Sequence, residues 1–253
     1  MTGKTTGARY LLIAFGLLAC LGGCASTESM VQEDRDPLEP YNRFMFRVND
    51  TLDKAAIKPV AKGYQAVFPE FIRNRVTNFF SNLGDISVMV NDALQFKGQQ
   101  AAMDFSRLVY NTTFGLGGLF DVATTLGLPR HNEDFGQTLG YWGVGEGYYL
   151  VLPFFGSSTT RDAWGVPVDN FLLDPVTYVD PLSLRYSLAG TAVVNKRANL
   201  LRLEKAFEEA QVDPYSFRRQ AYLQRRRELT YDGNPPQPKL EFEEPETAAP
   251  PAP

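Results

Sequence analysis

From Pro37 to Thr112 apolar residues recur at helical spacing, which predicts a series of amphipathic helices. In the first, Tyr41, Phe44, Met45, Val48 and Leu52 form one stripe while Asn42, Arg43, Asn49 and Asp53 take the other faces, and Pro59 stops or kinks it. A second follows Pro69, with Ile72, Val76, Phe79, Phe80 and Leu83 opposite Arg73, Asn74 and Asn78, and Gly84 is its expected end. Asp85 is then the expected cap of a helix carrying Ile86, Met89, Val90, Ala93 and Leu94, and Ala102, Phe105, Leu108, Val109 and Thr112 continue the pattern in another. Helix resumes with Thr159 or Thr160 as cap, Ser183 to Gln211 is the longest helical segment, and Asp213-Pro214 caps a last helix. Asp174-Pro175 and Asp180-Pro181 mark turns.

Two segments break this rhythm. Phe114 to Phe120 sets Gly115, Gly117 and Gly118 among bulky apolar residues, a composition foreign to an exposed turn. It fits a tight hairpin with small residues at a close backbone contact, in lipid or in a core, and equally a buried turn between helices. It lacks the lysine and hydroxyl of a phosphate loop. In Gly140 to Gly156 glycines alternate with aromatics, so helix is not expected; the segment suits contact with a membrane interface or a core-packed short hairpin.

The beginning of the chain reads as an address. Lys4 and Arg9 precede an apolar run, Tyr10 to Leu21, that is shorter than the roughly 20 residues of a spanning helix but suits a signal peptide. Leu21-Gly22-Gly23-Cys24 resembles a lipobox, the site at which a bacterial lipoprotein is cut and acylated. The expected product therefore starts at a diacylated, N-acylated Cys24. Each buried methylene adds about 0.8 kcal/mol of membrane affinity, so several chains on one residue anchor it stably. Ala25 and Ser26 follow the cysteine in place of the aspartate that favours inner-membrane retention, so the periplasmic face of the outer membrane is expected. Residues 1–23 are then the leader, 24–36 a flexible tether, 37–230 the helical domain and 231–253 an acidic, proline-rich, disordered tail.

Composition narrows the chemistry. The chain carries 25 basic and 29 acidic residues, and the leader removes two of the former, so nucleic acid is an improbable partner. The two cysteines, Cys20 and Cys24, are lost to the leader and the anchor, which excludes disulfides, thiol nucleophiles and cysteine metal sites. The single histidine, His131, sits in the polar run Arg130 to Asp134 and is expected at the surface rather than in catalysis or on a metal. No G-x-S-x-G, S-x-x-K or H-E-x-x-H pattern occurs, so no catalytic residue, metal or cofactor is expected. The arginines from Arg218 to Arg227 read as a solvated helix face or as a binder of anionic head groups.

The order of motifs resembles the MlaA/VacJ family of outer-membrane lipoproteins. Asp36-Pro37-Leu38-Glu39-Pro40-Tyr41-Asn42-Arg43 is similar to its opening motif. Asn78 to Asn91, Arg107 to Asp121, Phe135 to Gly140, Gly143-Val144-Gly145, Leu152 to Ser157 and Arg161-Asp162 resemble successive family segments. Asp213-Pro214-Tyr215 and Tyr222 to Arg225 resemble its closing helix. The resemblance implies an all-α, ring-like bundle embedded in one leaflet of the outer membrane and held against a trimeric porin. It implies removal of phospholipids mislocalised to the outer leaflet and their passage through an amphipathic channel to a periplasmic lipid-carrier protein, without covalent chemistry. Asn42, Arg43 and Asn49 are then expected as structural or gating groups, Gly115, Gly117 and Gly118 as a flexible hairpin, and Arg161 and Asp162 near the passage. Core salt bridges or helix caps explain Arg161 and Asp162 equally well. A non-transporting scaffold of the cell envelope is the alternative reading.

Overall fold

Helix begins close to the first described residue. The computed structural model describes residues 36–209 and 213–236; Cys24 and most of the tether and tail lie outside them. Helix α1 spans Glu39–Leu52, with Pro40 in the first turn, where its missing N–H costs nothing. Asp36, assigned above to the tether, belongs to the fold: its carboxylate accepts from Leu38 N and Asn42 Nδ2 at 3.2 and 3.1 Å and from the Tyr215 hydroxyl. At the other end Lys97 Nζ donates to Asp232 at 2.6 Å, so the folded region also runs past the expected boundary at 230.

Pro59 does not stop the first helix. A π-helical turn, Asp53–Ile57, leads straight into α2, Lys58–Val67, with Pro59 in its first turn. The wider turn absorbs the hydrogen bond that proline cannot donate. Nor does Gly84 end a helix or Asp85 cap one. Helix α3 runs unbroken over Glu70–Leu94 and packs along α4, Gly98–Thr113. One interior glycine costs only about 1 kcal/mol relative to alanine, less than that packing supplies. Asp85 instead points inward, where Arg130 Nη2 donates to it at 3.1 Å.

Short α5, Val122–Thr125, and α6, Phe135–Tyr141, are capped by the side chains of Asp121 and Asp134. Strands β1, Tyr149–Leu152, and β2, Gly156–Thr159, pair antiparallel with Tyr149 opposite Thr159 and Leu152 opposite Gly156. This hairpin is the one departure among the described residues from the all-α expectation. Thr159 then caps α7, Thr160–Pro167, by accepting from Asp162 N. Helix α8, Leu182–Glu209, is the longest, and α9, Pro214–Thr230, starts on the Asp213 cap.

Burial is inverted relative to a water-soluble bundle. Asn82, Asp85, Asn91 and Asp92 of α3 and Asp104, Arg107 and Asn111 of α4 are buried. The two helices meet through these polar faces, with Asn82 Nδ2 donating to Thr112 at 3.0 Å and Arg107 Nε lying 3.8 Å from Asp85. The largest fully enclosed side chains, among them Arg107, Gln137, Asn42 and Asn91, are all polar. Phe71, Phe96, Phe105, Phe114, Leu116 and Phe154 face outward. A small apolar core survives where Tyr149, Val151 and Tyr215 meet Met45, Phe46, Tyr222 and Leu223.

Candidate functional site

A cavity of about 540 Å³ opens between α2, α3 and α8, lined by Tyr64 and Phe68, by Ile72 and Val76, and by Tyr186, Ser187, Gly190, Thr191 and Val194. Its origin is local. Phe68, Ile72 and Val76 fall at i, i+4 and i+8, one stripe of the chain entering and following α3. Small Ser187, Gly190 and Thr191 across from them leave the space, and a Cβ added at Gly190 would meet nothing within 4 Å.

Beside the apolar wall runs a polar seam. Tyr64 donates its hydroxyl proton to Asn195 Oδ1 at 3.1 Å, and Asn195 and Asn199 both donate to Thr77 Oγ1, at 2.8 and 3.0 Å. Thr77 in turn donates to the Arg73 carbonyl at 2.9 Å. Burial raises the Tyr64 phenol above its ordinary pKa, against the pull of the Arg73 charge. Arg73 is itself buried, and its Nε has no hydrogen-bond partner among the described residues. An apolar wall next to a buried cation and amides is the pairing an amphiphile needs: surroundings for a chain and donors for a charged head. Helix spacing offered Ile72 and Val76; Tyr64, Tyr186 and Gly190 carried no signal beyond small residues in a long helix.

The residues singled out from sequence fall elsewhere. Asn42 and Asn49, two turns apart on α1, each clasp the hairpin through both ends of the amide. Asn42 donates to Tyr149 O at 3.0 Å and accepts from Val151 N at 2.8 Å; Asn49 donates to Leu152 O and accepts from Phe154 N, both at 2.9 Å. Arg43 binds Glu39 at 2.7 Å and Asp213 at 2.8 Å and stacks on the Tyr215 ring. The Arg43 hydrogen bond holds the Asp213 carboxyl well below the usual carboxylate range.

Arg161 and Asp162 come together in a buried network with Asp134, Tyr222 and Arg226. Arg161 Nε and Arg226 Nη2 donate to Asp162 Oδ1 at 3.0 and 2.9 Å, Tyr222 donates to Asp162 Oδ2 at 2.8 Å, and Arg226 also pairs with Asp134. Burial pushes the Asp134 carboxyl up, but the Arg226 bond and charge outweigh it, so the net shift is downward. Arg226 therefore corrects the reading of the last helix: one of its arginines is an interior group, neither solvated nor free for head groups. His131 is corrected likewise, since it faces inward and its Nδ1 lies 2.8 Å from the fully buried Asp104.

Gly115, Gly117 and Gly118 form the turn after α4, where Gly117 N and Gly118 N donate to Thr112 O and Asn111 O at 2.9 and 2.8 Å. A Cβ at Gly115 would sit 2.2 Å from Phe120 O, and one at Gly118 2.6 Å from Asn82 Cβ, so close approach explains both. Phe114 and Leu116 at the tip are 69% and 68% exposed, which excludes the buried-turn reading.

Comparison with known proteins agrees with this architecture. The family model described as MlaA lipoprotein matches residues 34–229. The intermembrane phospholipid transport system lipoprotein MlaA of Escherichia coli (strain K12) is 39% identical over 212 residues, covering 81% of this chain and 82% of that one. The Haemophilus influenzae protein of the same name is 31% identical over 230 residues, covering 89% and 92%. An uncharacterized protein of Rickettsia bellii is 35% identical over 195 residues, covering 77% and 76%. A chain solved for the structural basis of maintenance of bacterial outer membrane lipid asymmetry superposes with a TM-score of 0.67 at 35% identity, covering 79% of this chain and all of that one. The protein described above belongs to the MlaA lipoprotein family.

Proposed function

We propose that this protein is the outer-membrane lipoprotein of a phospholipid transport system, taking phospholipid misplaced in the outer leaflet and passing it toward the periplasm to maintain lipid asymmetry. The observation that carries this reading is the inverted burial. Aromatic and aliphatic side chains cover the outside while asparagine, aspartate and arginine fill the inside, the reverse of what water selects. No helix among the described residues is long and apolar enough to cross a membrane. Such a surface is satisfied by lying within one leaflet, every helix keeping its own backbone hydrogen bonds.

Cys24 holds the domain at that leaflet through its acyl chains. The Phe114 to Phe120 turn and the Phe154-Phe155 tip of the β-hairpin, both apolar and exposed, dip into the hydrocarbon. The opening lined by Tyr64, Ile72, Tyr186 and Gly190 receives the acyl chains, with Arg73 and the Thr77–Asn195 seam toward the head group. The clasp of Asn42 and Asn49 and the network around Arg161 and Asp162 hold the frame rather than touch lipid. A trimeric porin steadies the protein in the membrane, and a soluble periplasmic carrier accepts the lipid. No bond is made or broken; the protein lowers the barrier to moving a head group past hydrocarbon.

Transfer of labelled phospholipid from membranes containing the full chain, with and without its carrier, tests the reading. Carrier-dependent transfer is expected. Absence of bound or transferable phospholipid would favour a scaffold lipoprotein, and lysophospholipid release would favour a hydrolase.

A further inference from the structure

Three chemistry-bearing side chains converge in the polar interior, away from the lipid opening. Asp92 lies near the end of α3, Asp104 in the second turn of α4 and His131 in the loop before α6. One potential ligand atom from each lies within 4.8 Å of the others. Both carboxylates are fully buried, with relative exposures of 0%. Among the described residues no donor reaches either Asp92 oxygen or Asp104 Oδ1, the two carboxyls lie against each other, and Asp104 Oδ2 faces His131 Nδ1 at 2.8 Å.

Enclosed carboxylates without partners are costly unless a cation or a proton offsets them. The charge of Lys97 reaches Asp92, but its Nζ is already engaged, binding Glu133 at 3.0 Å and Asp232 at 2.6 Å. His131 also borders a cavity of about 250 Å³ whose wall includes Glu133, Glu228 and Asp232, an acidic approach that draws cations toward the cluster.

We propose that Asp92, Asp104 and His131 form a divalent-cation site of the zinc class, entered from that acidic cavity. One oxygen from each carboxylate and the imidazole Nδ1 supply three ligands, and two negative charges balance the ion. Zinc takes nitrogen and oxygen ligands at about 2.0–2.2 Å in tetrahedral geometry, which sets ligand atoms about 3.3–3.6 Å apart, so a pair at the outer limit of 4.8 Å closes with a shift of roughly 1.2–1.5 Å. The bound ion ties α3, α4 and the loop before α6 together at the centre of the polar interior. The sequence hides this set, because its members sit 12 and 27 positions apart with no ligand motif among them.

The full-length protein in detergent, stripped with chelator and titrated with Zn2+ by calorimetry, tests the site. Expected are one saturable Zn2+ per chain, a rise in Tm on loading, and visible ligand-field absorption when Co2+ replaces Zn2+. Asp92→Asn, nearly isosteric and relieved of a buried charge, keeps the fold but weakens Zn2+ binding more than about tenfold, as does His131→Ala. No saturable uptake by the stripped wild type, with Asp92→Asn melting at the same or a higher temperature, would mean that Asp92 and Asp104 share a proton instead and would overturn the proposal. Uptake unchanged in both variants would place the ion elsewhere and overturn it too.

Discussion

Asn42 and Val151 are 109 positions apart, yet the side-chain amide of the first accepts the backbone N–H of the second at 2.8 Å. With the bond from Asn42 to Tyr149 O, one buried amide serves β1 as a neighbouring strand would. Asn42→Ala leaves both backbone groups without a partner. A loss of about 2–4 kcal/mol is expected in denaturant unfolding in detergent. Asn49→Ala, whose bonds lie nearer the surface at Leu152 and Phe154, should cost about 1 kcal/mol. Equal effects would mean that the clasp is not graded by burial.

Two glycines, one against α3 and one within it, should respond oppositely. Gly118 has φ +88° and meets Asn82 where a Cβ would go, so Gly118→Ala is expected to destabilise by more than about 2 kcal/mol. Gly84 lies inside α3 with open space at its Cβ position, and Gly84→Ala should stabilise by up to about 1 kcal/mol. Thermal melts of the two variants against wild type decide it.

Interior carboxylates give stability a pH signature. Burial pushes the Asp85 carboxyl up to about 6, against the opposing charges of Arg130 and Arg107. The unfolded chain holds its aspartates near 3.9, so from about pH 6 down to about 4 the folded state binds more protons at this site, and Asp85 contributes more favourably as pH falls. Asp134 has the opposite sign: its depressed carboxyl stabilises above the unfolded pKa and loses that contribution as pH falls through its folded value. The wild type should therefore gain on Asp85→Asn between pH 7 and pH 5, and lose on Asp134→Asn below pH 4. A pH-independent difference in unfolding free energy for Asp85→Asn would contradict the assignment.

The exposed tips should set membrane depth. Leu116→Asp places a charge at the apex of the turn after α4, and Phe154→Asp does so at the hairpin tip. In full-length chains with Cys24→Ala, so that the acyl anchor does not mask the effect, each is expected to reduce partition onto liposomes by about tenfold or more, since a buried Leu or Phe contributes about 1.5–3 kcal/mol. Circular dichroism should be unchanged, because both side chains touch little else. Undiminished partition would mean that these tips remain in water.

Much of this was legible in the sequence, and for a definable reason. Helix period, the Thr159 and Asp213 caps and the long α8 are local signals, and they appear where the spacing puts them. Gly84 misled as a stop signal because packing along α4 outweighed it, while Pro59, expected to stop or kink the first helix, follows a π-helical turn that carries the chain on. Periodicity gives each helix two faces but not the solvent each face meets, so the inward turn of Asp85, Asp104 and Arg107 had no local signal. His131 and Arg226 looked like surface charges for the same reason, their partners Asp104 and Asp134 being supplied by other elements. The opening between α2, α3 and α8 was least legible, since it depends on what α8 lacks at Gly190.

Phospholipid transfer by the full-length Gly190→Trp protein tests the proposed passage of lipid through the opening beside Gly190. Open space at that Cβ lets the helix accept the indole, which then fills the passage. Expected are an unchanged fold and melting temperature, unchanged membrane anchoring, and transfer to the carrier reduced to the protein-free rate. Transfer at the wild-type rate with the opening filled would contradict it.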